Sequence, residues 1–160
     1  MRSLARHVRP TQIVYEAEGW GLGEMWFDGD RLLLHELPRP GVETVGGTHR
    51  LAGRIIDYFA GKVDDFLDVE LDLEGATNFE QALTDALRRI PYGETVSYGE
   101  LAALAGRPNA QRAAGTFCAR NRFGIVVPCH RVVAAGGLGS YGSLGVGYKR
   151  RLLELEGVSV

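Results

Sequence analysis

Hydrophobic and polar positions along the chain change rhythm near residue 77. Before it, Thr11 to Ala17 and Trp20 to Phe27 are rich in β-branched and aromatic side chains, and Asp28-Gly29-Asp30 separates the second run from Arg31 to Glu36. This is the pattern of strands joined by a hairpin turn. Pro38 and Pro40 are expected to stop the sheet. From His49 to Gly61, Leu51, Ile55, Tyr58 and Phe59 recur at helical spacing. Leu67, Val69, Leu71 and Leu73 then alternate with Asp68, Glu70, Asp72 and Glu74. That period of two predicts a strand with one apolar face and one acidic face turned to water.

After residue 77 the chain reads as short helices. Thr77 or Asn78 can cap a helix whose Phe79, Leu83, Ala86, Leu87 and Ile90 form one stripe, ended by Pro91-Tyr92-Gly93. Ser97-Tyr98-Gly99-Glu100 has the form of a capping box and predicts a helix from about Tyr98 to Ala105. Gly106 can take the left-handed conformation that ends it, Pro108 marks the turn, and Asn109 can cap a third helix through about Ala119. Two short helices about a Gly-containing turn suggest a helix-turn-helix. The third helix, Ala110-Gln111-Arg112-Ala113-Ala114-Gly115-Thr116, is poor in bulk. Close packing against another helix is the more frequent reason for such a stretch, and a nucleic-acid groove is the other. Arg112 favours the groove, because a tight helix contact could not solvate a long cation.

Composition narrows the class. The chain has 160 residues, 45% of them hydrophobic, which excludes disordered and fibrous folds. Its apolar runs are far shorter than the ~20 residues needed to cross a bilayer. The basic N-terminal stretch from Met1 to Pro10 has no apolar core and does not read as a secretory signal, so a cytoplasmic location is expected. Cys118 and Cys129 are expected to be free thiols. The histidines (His7, His35, His49, His130) are scattered, so no metal is predicted. The formal charge of −2 hides an asymmetry: residues 1–77 carry 8 basic and 14 acidic side chains, residues 78–160 carry 10 and 6. The basic half is the candidate for a polyanionic partner, although such a balance alone also suits an ordinary solvated surface.

Ile125-Val126-Val127 reads as a short buried strand running into Pro128-Cys129-His130-Arg131 and Val132-Val133. A proline fixes the backbone before the cysteine, and His130 is available as a base or cationic partner, so the site could favour a thiolate. Cys118, between Phe117 and Ala119 on a helix, reads as a small buried hydrophobe.

With these residues the chain resembles the O6-alkylguanine-DNA alkyltransferase family, whose signature is the Pro-Cys-His-Arg-Val run. The resemblance covers roughly Ile90 to Gly157 and includes Ile90-Pro91-Tyr92-Gly93-Glu94-Thr95, Ser97-Tyr98-Gly99-Glu100-Leu101-Ala102, Arg112-Ala113, Asn121 and Leu152-Leu153-Glu154-Leu155-Glu156-Gly157. It implies an α+β protein: an RNase H-like α/β structural domain over 1–77, followed by a mainly helical, winged helix-turn-helix-like DNA-binding domain over 78–160. It also implies repair by stoichiometric transfer of the alkyl group of O6-alkylguanine in double-stranded DNA to Cys129, with O4-alkylthymine as a further substrate, no cofactor and no metal. The protein would be a monomer with no membrane attachment.

The resemblance assigns roles residue by residue. Cys129 is the acceptor, His130 and Glu156 the base and the carboxylate behind it, and Asn121 the residue tying the preceding turn to this network. Tyr98 stabilises the leaving guanine, and the carbonyls of Cys129 and Val132 select guanine. Arg112 is a finger entering the stack from the minor groove after base flipping, on a helix kept slim by Ala110, Ala113 and Gly115. Tyr141 belongs to a glycine-rich loop, Gly136 to Ser143, that covers the alkyl group, with Ser143 at its end. Arg131 is expected to pair with a carboxylate of the first half. The chain departs from the family pattern at Phe79-Glu80-Gln81, at Gln111, at Thr116-Phe117-Cys118 and at Arg122-Phe123. The alternatives are an alkyltransferase-like protein that binds the lesion without transfer, then a helix-turn-helix transcription factor, then a cysteine hydrolase.

Overall fold

Three antiparallel strands open the fold: β1 (Thr11–Ala17), β2 (Gly21–Asp28) and β3 (Arg31–Arg39), in that order across the sheet. The structure is a computed structural model and describes residues 9–160; the basic segment from Met1 to Val8, with His7, lies outside the described residues. The register sets Ile13 opposite Met25 and Met25 opposite His35. Tyr15 faces Gly23, and a Cβ on Gly23 would fall 2.3 Å from the Tyr15 ring, so that position needs glycine. Helix α1 (Arg50–Phe59) follows, its N-cap supplied by His49, whose Nδ1 accepts from the Leu51 amide at 3.1 Å. Its buried stripe is the predicted one, Leu51, Ile55, Tyr58 and Phe59, joined by Ala52.

The described residues up to Gly75, together with Arg122–Gly124, form one compact unit, and residues 76–121 with 125–160 form a second. Within the first, the 122–124 segment runs beside β3 through a parallel bridge between His35 and Phe123. The His35 amide donates to the Arg122 carbonyl at 2.8 Å, and its Nδ1 lies 2.7 Å from the Gly124 carbonyl. A carbonyl only accepts, so Nδ1 carries the proton and Nε2 accepts from the Tyr15 hydroxyl at 2.6 Å. Arg122 donates to the carbonyls of Leu33 and Asp72.

Two expectations for this unit fail. The sheet does not stop before Pro38, because β3 runs through it to Arg39, which pairs with Leu22; an edge position spares proline the missing donor. Leu67 to Glu74 is not a strand, and only Leu71 makes a bridge, to Leu32. Arg54 holds Asp64 and Asp68 together at 2.8 and 2.9 Å, and Phe66 between them turns to φ 53°. Leu67 is thereby left exposed, while Asp72, expected in water, is buried near Arg31 and Arg122.

The second unit contains α2 (Asn78–Arg88), β4 (Val96–Ser97), α3 (Tyr98–Leu104), α4 (Gln111–Ala119), β5 (Val132–Val133) and α5 (Val146–Leu155). Thr77 and Glu80 close a capping box on α2, and Ser97 and Glu100 close one on α3. Gly106 is left-handed at φ 93° and α4 follows the turn. Strands β4 and β5 pair in parallel, Val96 with Val132 and Ser97 with Val133. Among the described residues no helix is long and apolar enough to cross a membrane.

Here too the structure corrects the reading. Asn109 does not cap α4: the Ala110 amide bonds back to Arg107, which makes Ala110 the N-cap without a side-chain bond. Ile125 to Val127 is buried but forms a turn, not a strand, with Ile125 at φ 73°. The apolar run is fully buried because the turn folds inward, so its hydrophobicity alone could not distinguish the two.

Candidate active site

Cys129 begins a single 3₁₀ turn, Cys129–Arg131, placed between the inward turn and β5. Its side chain is buried. The Asn121 amide donates to the Val127 carbonyl at 2.8 Å and to Cys129 Sγ at 3.2 Å, so one side chain closes the turn and touches the sulfur. The Tyr141 hydroxyl also hydrogen-bonds Cys129. Burial pushes the Cys129 thiol up, and Asn121, the Lys149 ammonium and Tyr141 pull against that push.

His130 and Glu156 form a second, fully buried cluster. His130 Nε2 lies 2.7 Å from Glu156 Oε2. Arg131 donates to both Glu156 oxygens and to the Ile90 carbonyl, and the Gly93 amide donates to Glu156 Oε1 at 3.0 Å. Burial would raise the Glu156 carboxyl, but the His130 and Arg131 hydrogen bonds overcome it and hold the group well below the usual carboxylate range. Glu156 is therefore ionised and accepts a hydrogen bond from His130 Nε2–H, which leaves the imidazole lone pair on Nδ1. Burial lowers His130 against the pull of Glu156, so the resting imidazole is neutral. The expectation that Arg131 pairs with a carboxylate of the first half is corrected: its carboxylate is Glu156, because the 3₁₀ turn faces the end of α5.

Tyr98 opens α3 and is reached by Lys149 of α5, whose Nζ lies 3.4 Å from its hydroxyl and 3.2 Å from the Ser140 carbonyl. Burial lowers Lys149 and raises Tyr98. Gly115 on α4 packs against Tyr98, where a Cβ would sit 3.7 Å from the ring. Tyr98, Asn109, Gln111, Arg112, Gly115, Gly139 and Ser140 line a cleft of about 700 Å³, the size of a small-molecule site.

The predicted site residues fall into three groups. Cys129, Asn121 and Tyr141 meet at the sulfur; His130 and Glu156 meet behind it; Tyr98, Arg112 and Gly115 share the cleft. Ala114 alone is buried on α4, while Arg112 and Ala113 are exposed, so close helix packing does not account for all of its small residues. Ser143 is exposed on the loop. Val132 donates its amide to the Cys129 carbonyl and lies in β5. Cys118 is half-buried, and its thiol is raised by burial and by the charge of Cys129. Sequence reasoning missed Lys149. A signal existed, since Lys149, Leu152, Leu153 and Glu156 recur at helical spacing and all four are buried. Among the described residues no three His, Cys, Asp or Glu side chains are grouped to hold a metal ion.

Comparison with known proteins gives consistent matches. The family model for the 6-O-methylguanine DNA methyltransferase DNA-binding domain matches residues 78–158. The methylated-DNA–protein-cysteine methyltransferase of Mycobacterium tuberculosis (strain H37Rv) is 55% identical over 100 residues, 62% of this chain and 59% of that protein. The protein of the same name from Methanosarcina acetivorans is 45% identical over 123 residues, 76% of this chain and 77% of its own length. The solved structure of M. tuberculosis OGT in complex with DNA superposes with a TM-score of 0.77 at 38% identity, covering 91% of this chain and 92% of that one. The match spans about three fifths, 59%, of the mycobacterial relative's length. With a family model over half its length and relatives of this similarity, the chain belongs to the 6-O-methylguanine DNA methyltransferase family.

Proposed function

We propose that this chain repairs DNA by direct transfer of the alkyl group of O6-alkylguanine, and in second place O4-alkylthymine, to Cys129. The observation that carries the reading is the buried Cys129 thiol, held by Asn121 and Tyr141 and backed by the neutral His130 on ionised Glu156. His130 Nδ1 takes the thiol proton, through a water as the family resemblance implies, and Glu156 stabilises the imidazolium that results. Sulfur attacks the alkyl carbon, the carbon–oxygen bond breaks, and its electron pair leaves on guanine. Tyr98 offsets that negative charge by donating a hydrogen bond, and Lys149 Nζ, which donates to the Tyr98 oxygen, leaves the hydroxyl proton for the base. The thioether is stable, so each molecule reacts once.

A base inside a duplex cannot reach a buried sulfur, so the nucleotide must leave the stack. Arg112 fills the gap, the slim α4 face of Ala110, Ala113 and Gly115 enters the minor groove, and the loop bearing Tyr141 and Ser143 closes over the alkyl group. The carbonyls of Cys129 and Val132 select guanine. We further infer that residues 1–77 are an RNase H-like structural domain, supported by the three-stranded meander followed by α1, and that residues 78–160 are the winged helix-turn-helix-like DNA-binding domain, supported by α3 and α4 about Gly106. A lesion-binding protein without transfer would have no use for an acceptor thiol, and Cys129 is present.

Intact-mass measurement after incubation with a duplex containing O6-methylguanine tests the reading. One methyl group on Cys129 and none on Cys118, by peptide mapping, is the expected result. Methylation on Cys118, or repair by Cys129→Ser, overturns the assignment.

A further inference from the structure

The loop from Gly136 to Gly145 holds five glycines, three of them left-handed: Gly139 at φ 78°, Gly142 at φ 53° and Gly145 at φ 87°. Such a segment has little conformational preference of its own and loses much backbone entropy on ordering. Tyr141 nevertheless has to keep its hydroxyl on one sulfur, so something outside the loop must hold it. The first turn of α5 is the holder. The Gly145 amide donates to the Tyr141 carbonyl at 3.2 Å, and Lys149 Nζ donates to the Ser140 carbonyl at 3.2 Å. Those bonds fix the backbone on either side of the tyrosine but not its ring.

The ring is met by Tyr148. The two centroids are 6.2 Å apart at an interplanar angle of 25°, within the range of attractive offset pairs. Tyr148 stands outside the buried stripe of α5, which is Lys149, Leu152, Leu153 and Glu156, and it is only half-buried itself. The core therefore does not call for an aromatic at 148. Gly147 before it has open space where a Cβ would point, so the helix turn carrying Tyr148 is not crowded into place either.

We propose that Tyr148 is a positioning residue for the transfer: its ring, stacked on that of Tyr141, keeps the Tyr141 hydroxyl on the Cys129 sulfur. The inference rests on Cys129 being the alkyl acceptor, and its function is to hold a neutral donor against the attacking atom while the loop around it stays free to admit substrate. Other groups around the sulfur are Tyr98 from α3, Cys118 from α4, Asn121 beyond it, His130 next in sequence and Lys149, the neighbour of Tyr148 on α5. Tyr148 reaches the sulfur through the ring of Tyr141, and the paired Tyr148 and Tyr141 variants separate this role from theirs.

The test follows the pH dependence of Cys129 alkylation by iodoacetamide from pH 6 to the alkaline limit of the fold, because burial sets the thiol above its ordinary 9.0, and is read by peptide mass so that Cys118 is scored apart. The plateau rate reports access to the thiol, while the midpoint reports thiolate formation, which a merely structural loss leaves in place. Tyr148→Ala should raise the midpoint by about 0.5–1 unit, a three- to tenfold loss of thiolate near pH 7. Tyr148→Phe keeps the stack and should keep the wild-type midpoint. Tyr141→Phe should shift it as far as Tyr148→Ala, and the double variant no further. Tyr148→Leu serves in place of the alanine variant if that one does not fold. An unshifted midpoint in Tyr148→Ala or Tyr141→Phe, an equal shift in Tyr148→Phe, or additive shifts in the double variant would each overturn the proposal. Iodoacetamide needs no DNA, so absence of methyl transfer from O6-methylguanine in the wild type would refute the repair reading and leave this result standing on its own.

Discussion

Arg131 grips both oxygens of Glu156, with Nε on Oε1 at 2.9 Å and Nη2 on Oε2 at 3.0 Å. The fork does two things for the neighbouring His130. It neutralises a buried carboxylate that the imidazole would otherwise have to balance, and it fixes which oxygen faces the ring.

Removing the fork should therefore cost stability as well as rate. Arg131→Met leaves Glu156 charged and unmatched by a guanidinium, a change of about 3–5 kcal/mol for a broken buried pair. Chemical denaturation of the wild type and the variant measures it. Arg131→Met combined with Glu156→Gln should lose less than the two single losses together, and full additivity would show that the pair is not a unit.

His35 makes stability depend on mild acid. Burial lowers it from its ordinary 6.5 to about 4, so between those values the unfolded chain binds more protons than the folded one. Stability is complete above pH 6.5 and falls as the pH drops toward 4, by roughly 3 kcal/mol from this group. His130 is lowered too and adds to the same slope, while Glu156, held low, adds its loss only below the ordinary carboxylate range. Denaturation midpoints for wild type and His35→Gln at pH 7, 6 and 5 check this: the variant should lose less stability over that range. Parallel curves would remove His35 from the account.

Much of the site was legible in the sequence because its signals are local. The helix cap at Thr77 or Asn78, the capping box at Ser97, the left-handed Gly106 and the Pro128-Cys129-His130-Arg131 run depend on neighbours within four residues. What was misread depends on distant partners. The alternation over Leu67 to Glu74 is real, but Arg54 draws Asp64 and Asp68 onto α1 and prevents extension. Ile125 to Val127 is as apolar as a strand, but the left-handed Ile125 and the bonds of Asn121 and the Cys129 amide to the Val127 carbonyl make it a turn. Arg131 was assigned to the wrong half because a charge in sequence does not reveal which carboxylate the fold will bring.

Lys149 should matter through the sulfur. Its ammonium helps hold Cys129 down against burial. Lys149→Met should raise the midpoint of the pH–rate profile for transfer by about one unit and slow transfer at pH 7 about tenfold. Lys149→Arg should not restore it, since the site is fully buried and a larger planar head has to displace its neighbours. A slowed variant with an unmoved midpoint would place the effect of the lysine at Tyr98 or in packing and not at the sulfur.

Arg112 is exposed at the cleft, and its contribution should appear only when a base has to leave a stack. Extrusion costs a few kcal/mol, and each ~1.4 kcal/mol that an inserted side chain offsets is worth tenfold in rate. Arg112→Ala should slow repair of duplex O6-methylguanine strongly and leave transfer from the free base nearly unchanged. It should reduce the salt slope of binding by roughly one phosphate equivalent at most. Equal losses on duplex and free base would make Arg112 a residue of the fold.

Ile125 at φ 73° sets a limit on how far this turn can be improved. A β-branched residue in the left-handed region carries a penalty of roughly 1–3 kcal/mol, and glycine would relieve it. Yet the side chain is 2% exposed, and emptying a buried isoleucine position forfeits about 2–5 kcal/mol. The two preferences oppose each other at a single residue, four positions before the reactive cysteine. Natural selection or protein engineering in search of a more robust variant will find no favourable step at 125, and must look for added stability in parts of the chain that do not shape the turn.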